Sequence, residues 1–190
     1  MSTDHDLVIL GIAGSLRRDS FNSALLRAAG EVAAEFSEGG RTVRLDPFPL
    51  DEIPLFNQDL EEGGFPEEVQ SLHRAIHDAD ALLISTPEYQ FGLPGVLKNA
   101  IDWASRPPGE STLEGKPVAI MGATPGMWGT ARAQMQLRQA LIYNRCPMVM
   151  QPEVLVAKAD DRFDDDGKLV HPPTRKFVGE LLEALLDLVD

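Results

Sequence analysis

Four short polar side chains and two arginines crowd one stretch of this 190-residue chain, Gly14-Ser15-Leu16-Arg17-Arg18-Asp19-Ser20-Phe21-Asn22-Ser23. Hydroxyls, an amide and guanidinium groups at this spacing can surround a phosphate, whose exposed oxygens accept several charge-assisted hydrogen bonds at once. The stretch follows the apolar run Leu7 to Ala13 and precedes the amphipathic run Ala24 to Phe36, so it reads as the turn from a first strand into a first helix. A helix start adds unpaired N–H groups and the positive end of a dipole. The same residues also suit a plain helix cap, with Ser20 or Asn22 as the N-cap, and composition alone leaves both readings open. A Walker A loop is excluded because no lysine lies near the turn, and Gly11-Ile12-Ala13-Gly14 lacks the spacing of a dinucleotide fingerprint. A terminal monophosphate is the ligand these donors fit.

The elements that must hold this turn alternate regularly. Strands are expected at Leu7 to Ala13, Thr42 to Leu45, Ala79 to Thr86, Val118 to Thr124 and within Pro147 to Ala157, the last interrupted by Pro152. Helices are expected at Ala24 to Phe36, stopped by Gly39-Gly40, then at Pro66 to His77, Pro94 to Ser105, Thr130 to Tyr143 and Thr174 to Val189. Strands that are continuously apolar rather than alternating belong to a parallel sheet covered on both faces. The pattern therefore predicts a single α/β domain over residues 1–190, a doubly wound sandwich around a five-stranded parallel sheet. In such sheets ligands sit at the carboxyl ends of the strands. Three loops end there: 14–23, 87–93 and 124–129. The long segment from Asp46 to Gly64 reads as an ordered lid, with Leu55 and Phe56 as its buried residues.

A formal net charge of −13 argues against nucleic-acid or anionic-membrane partners. One cysteine cannot form an internal disulfide, no basic region precedes the first apolar run, and no apolar run is long enough to span a membrane, so a cytoplasmic setting is expected.

The turn at 14–23, together with Ile53-Pro54-Leu55-Phe56-Asn57, Pro87-Glu88-Tyr89 and the run Pro94 to Arg106, resembles the NADPH-dependent FMN reductase family, in the branch of bacterial quinone and chromate reductases. The resemblance spans residues 9 to about 130. It implies a flavodoxin-like fold holding FMN, with NAD(P)H as cosubstrate. Carried over, Ser15, Arg17, Ser20, Asn22 and Ser23 would hold the phosphate, Pro87, Glu88, Tyr89, Gln90 and Phe91 would lie along the ring, and Thr124 would meet it from the third loop. Glu88 is expected to bind through its main chain with its carboxylate turned aside. The sequence departs from the family at Gln90, where asparagine is usual, and at Gly122-Ala123-Thr124, which leaves Thr124 as the sole hydroxyl there. Hydride transfer through flavin asks for no protein nucleophile, metal or triad, so no catalytic side chain is expected. Quinones are the implied acceptors, with chromate, azo or nitro compounds, ferric complexes and free flavin also compatible, in a ping-pong mechanism. A flavodoxin-type electron carrier and a flavin sensor without turnover are the competing readings. Against the carrier stands the missing Ser/Thr-x-Thr-Gly-x-Thr loop.

Other chemical groups read as structural. Cys146 precedes an apolar strand and suits a small buried residue, while His73 and His77 share a helix face with no further metal ligand beside them. The acidic run 160–167 fails calcium-loop spacing, since aligning Gly167 puts Arg162 at the first ligand position. The helix at 94–105 carries two apolar strips, Leu97, Ile101 and Ala104 against Val96, Ala100 and Trp103. The second strip predicts a partner subunit, hence at least a homodimer, and the family resemblance also allows a homotetramer.

Overall fold

The computed structural model describes residues 6–38 and 41–189. Its sheet is built from β1 (Leu7–Ala13), β2 (Ser37–Glu38), β3 (Arg41–Phe48), β4 (Ala81–Ser85), β5 (Val118–Ala123) and β6 (Val154–Val156) in the order β2-β3-β1-β4-β5-β6. Every pairing from β3 to β6 is parallel; β2 adds only a two-residue antiparallel edge on β3. The core is thus the expected five-stranded parallel sheet in flavodoxin-like order. All residues of β4 and β5 are buried, which is why neither shows polar alternation.

Two helices cover one face, α1 (Phe21–Ala33) and α6 (Pro172–Leu186), with Leu25, Ala29, Val178, Leu181 and Leu182 in the layer between them and the sheet. The other face carries α3 (Glu67–Asp78), α4 (Gly95–Ala104) and α5 (Ala131–Ile142) through Val69, Leu72, Leu97, Leu137 and Leu141. The expected stop of the first helix, Gly39-Gly40, lies outside the described residues; the helix itself ends at Ala33.

Two expectations for the segment after Asp46 are corrected. The strand does not stop at Leu45 but runs through Pro47 to Phe48, paired with Gly11 and Ile12 of β1. Proline is tolerated because β2 reaches only Thr42 and Arg41, leaving the outer edge at Pro47 without a ladder to serve. Nor are Leu55 and Phe56 buried: Leu55 is 82% exposed and Phe56 37%. The segment is ordered instead by its backbone. Asn99 of α4 donates to the Pro54 carbonyl at 2.8 Å and accepts the Phe56 N–H at 2.7 Å, and the Trp103 indole N–H donates to the same Pro54 carbonyl at 2.8 Å. Asn57 then caps the short helix α2 (Gln58–Glu62).

This staple also removes the argument for a partner drawn from α4. Trp103 is fully buried within its own chain, with the rings of Phe56 and Phe65 at 4.9 and 6.2 Å. The surplus apolar strip is covered by 53–56 and α3, so it does not call for a second subunit.

Candidate functional site

The loop after β1 is fixed largely from within. Ser20 caps α1, its hydroxyl accepting the N–H groups of Asn22 and Ser23 at 3.2 and 3.4 Å, so the helix starts at Phe21, three residues earlier than its apolar pattern suggests. Gly14 N–H donates to the Ser85 carbonyl at 2.8 Å, tying the loop to the end of β4. The Arg17 guanidinium donates to the Asp19 carbonyl at 2.8 Å and, among the described residues, faces no carboxylate within ion-pair distance. Its charge is uncompensated beside a helix N-terminus, an arrangement suited to an anion.

Asn22 has a different task from the one expected of it. Its side chain is buried, donates to the Ala123 carbonyl at 2.9 Å, and accepts the Ala123 N–H at 2.9 Å and the Ser85 hydroxyl at 3.1 Å. The amide therefore pins the start of α1 to the ends of β4 and β5. What Asn22 offers a ligand is its remaining side-chain N–H, since its main-chain N–H is taken by Ser20.

Around this loop a cleft of about 70 Å3 is lined by Ser15, Arg17, Ser20, Asn22, Pro87, Glu88, Tyr89 and Thr124. These are eight of the eleven expected binding residues, from three separate strand ends. A cleft of this size has room for a phosphate-sized group. Ser23, Gln90 and Phe91 lie elsewhere. Ser23 lines the neighbouring groove with Leu16, Leu26 and Phe48. Gln90 and Phe91 form the exposed tip of the second loop.

That second loop is a tight turn in which Tyr89 and Gly92 exchange both backbone hydrogen bonds, at 3.1 and 3.0 Å. Its central residues Gln90 and Phe91 have φ of 49° and 62°, the left-handed conformation that two-residue hairpins require and that side chains disfavour. Helix α5 holds it. Glu88 accepts the Arg132 N–H at 2.9 Å and the Arg132 guanidinium at 2.7 Å, the Arg132 guanidinium lies 4.3 Å from the Phe91 ring centre, and Gln136 accepts the Leu93 N–H at 2.9 Å. Glu88 thus does turn its carboxylate to a protein partner. The residue at the cap position of α5, Thr130, provides no side-chain cap; its buried hydroxyl accepts from Gln134 instead. A Cβ at Gly122 would collide with that hydroxyl and with the Thr86 carbonyl, so glycine is needed where α5 meets the sheet.

The Tyr89 and Ser15 hydroxyls meet at 3.1 Å, joining the first and second loops across the cleft, and the Thr124 hydroxyl accepts the Gly126 N–H at 3.2 Å to shape the third. Arg132 and Gln136 were not among the expected residues. One signal was available: a cation in the first turn of a helix is disfavoured by the dipole, and Arg132 remains there because Glu88 sits over the same N–H groups.

The model for the NADPH-dependent FMN reductase family matches residues 7–161. The chain belongs to that family. It is 44% identical over 180 residues to an NAD(P)H-dependent FMN reductase of Pseudomonas aeruginosa, covering 95% of this chain and 94% of the relative. It is 42% identical over 178 residues to a 2-hydroxy-1,4-benzoquinone reductase of a Burkholderia species, covering 93% of each. Among solved structures, FerB, a flavoenzyme NAD(P)H:acceptor oxidoreductase of Paracoccus denitrificans, superposes with a TM-score of 0.84 at 34% identity, covering 96% of this chain and 97% of that one.

The groups set aside by sequence have structural partners. The Cys146 thiol is buried, donates to the Leu113 carbonyl at 3.1 Å, and is pushed up to about 11 by burial. His73 pairs with the Trp103 carbonyl at 2.9 Å and His77 with Asp78 at 2.9 Å, so the two rings serve different neighbours. Asp164 closes a turn by accepting the N–H groups of Asp166 and Lys168 at 3.1 and 2.8 Å.

Proposed function

We propose that this reductase, residues 1–190 acting as one FMN-binding domain, passes two electrons from NAD(P)H through bound FMN to quinones or similar small acceptors. The observation that carries the reading is the small cleft at the start of α1. There the Arg17 guanidinium and the hydroxyls of Ser15 and Ser20 converge at the capped start of α1 and the carboxyl ends of three strands. That donor set fits the terminal phosphate of FMN.

Bound FMN supplies the two-electron chemistry. Ser15, Arg17 and Ser20 would hold the phosphate at the capped start of α1. The flavin ring would be held along the main chain of 88–91, with Pro87 and Tyr89 beside it and the Thr124 loop opposite, as the family resemblance implies. No carboxylate, histidine or thiol is asked to move a proton. Glu88 is occupied by α5, and Cys146, His73 and His77 point elsewhere. Both substrates use one place in turn, which gives ping-pong kinetics. Steady-state turnover of NADPH with a benzoquinone should yield parallel double-reciprocal lines; intersecting lines, or reduction without turnover, would contradict the reading.

A homodimer or homotetramer belongs to the same proposal. Its support is the exposed strip Met135, Ile142, Tyr143 and Met150 on and beside α5. Light scattering should return a multiple of 20.8 kDa at micromolar concentration, and a 20.8 kDa particle would refute it. No helix among the described residues is long and apolar enough to cross a membrane, and the lone buried thiol supports a reducing, cytoplasmic setting.

A further inference from the structure

Arg132 is placed where electrostatics alone would not put it. It occupies the first turn of α5, a helix whose positive end already carries unpaired N–H groups. Glu88 answers both, taking the backbone N–H groups of Arg132 and Ala133 at 2.9 and 3.4 Å and the guanidinium at 2.7 Å. Glu88 comes from a loop 44 residues away that lines the phosphate cleft, and only 10% of its side chain is exposed.

The guanidinium also sits between two aromatic rings, 4.3 Å from the centre of Phe91 and 4.8 Å from that of Trp128. Phe91 is one of the two side-chain-bearing residues at positive φ in the second loop, and Trp128 belongs to the third. One side chain therefore joins the two loops that flank the ring site, and it does so at a residue held in the left-handed conformation.

We infer that Arg132 is a positioning residue for the bound flavin, holding the 88–91 turn in place while neutralising Glu88 beside the ring. The inference rests on the FMN placement above. Reduced flavin carries more negative charge than oxidised flavin, so a bare carboxylate nearby would weaken binding of the reduced form selectively. With Arg132 present, the pair is close to neutral as seen from the ring, and the main-chain N–H groups dominate the field.

The test compares dissociation constants of oxidised and reduced FMN for the full chain and its variants. In Arg132→Gln the preference for reduced over oxidised FMN should fall about tenfold, which is about 30 mV in a two-electron potential. In Glu88→Gln/Arg132→Gln the ratio should return to within about threefold of the parent, because the uncompensated charge is gone. A structural role alone would leave the ratio unmoved, or move it equally in the single and double variants, and either result overturns the inference. Arg132→Lys keeps the charge and should keep the ratio within twofold; a tenfold fall there overturns the inference even if Arg132→Gln does not fold. Arg17→Ala separates the two levels. If Arg17→Ala weakens FMN binding and Arg132→Gln moves nothing, the inference about Arg132 fails alone; if neither variant affects FMN, the placement of the cofactor fails with it.

Discussion

The first and second loops of the cleft solve the same problem in opposite ways. The loop at 14–23 supplies its own anchors: Ser20 caps the helix it precedes, Arg17 folds onto Asp19, and Asn22 reaches inward to the sheet. The loop at 87–93 contains two residues in a disfavoured conformation and is held from outside by α5, through Arg132 and Gln136. A phosphate end built on a helix start needs rigid, preorganised donors. A ring edge needs main-chain N–H groups presented along a line, which costs backbone strain that only a tertiary clamp can offset.

Breaking the inward anchor of the first loop should have the largest effect. Asn22→Ala leaves the Ala123 peptide and the Ser85 hydroxyl buried without their partner, and each such group costs about 1–3 kcal/mol. The apoprotein should lose about 3 kcal/mol in urea unfolding, a loss within 0.5 kcal/mol being incompatible with the buried geometry. Arg17→Ala comes next. It should leave folding untouched but weaken FMN by roughly 1.5–3 kcal/mol, the range for a charge-assisted hydrogen bond, while Arg18→Ala does much less; equal losses measured by flavin fluorescence titration would sink the assignment of Arg17. The outside grip on the second loop is shared, so removing one part of it should matter least. Gln136→Ala gives up a single exposed hydrogen bond and should cost at most about 0.5–1.5 kcal/mol in the same unfolding experiment. A much larger loss would mean that Gln136, rather than Arg132, carries the clamp.

The contrast also sets what could be read from the chain. Loop 14–23 was legible because its partners are neighbours: a serine, an arginine and an aspartate within six residues of one another, between an apolar run and an amphipathic one. β1 and the burial of β4 and β5 were legible for the same reason, as continuous apolar runs. The clamp on the second loop was not, since Glu88 and Arg132 lie 44 residues apart and the sheet brings them together. Asn22 reads as a site residue in the sequence, but its bonds to Ala123, 101 positions away, make its side chain a sheet anchor with one N–H left for a ligand. The same applies to 53–57: apolar composition suggested burial of Leu55 and Phe56, whereas hydrogen bonds from Asn99 and Trp103 to the backbone order the segment and leave Leu55 in solvent.

The central claim is that the cleft at the start of α1 recognises a terminal phosphate. Comparing dissociation constants of FMN and riboflavin for the apoprotein tests it most directly, since the two ligands differ only in that group. FMN should bind at least about a hundredfold tighter, in line with several charge-assisted hydrogen bonds of about 1.5–3 kcal/mol each, and Arg17→Ala should shrink the difference while leaving riboflavin unaffected. Equal affinity for FMN and riboflavin would contradict the account.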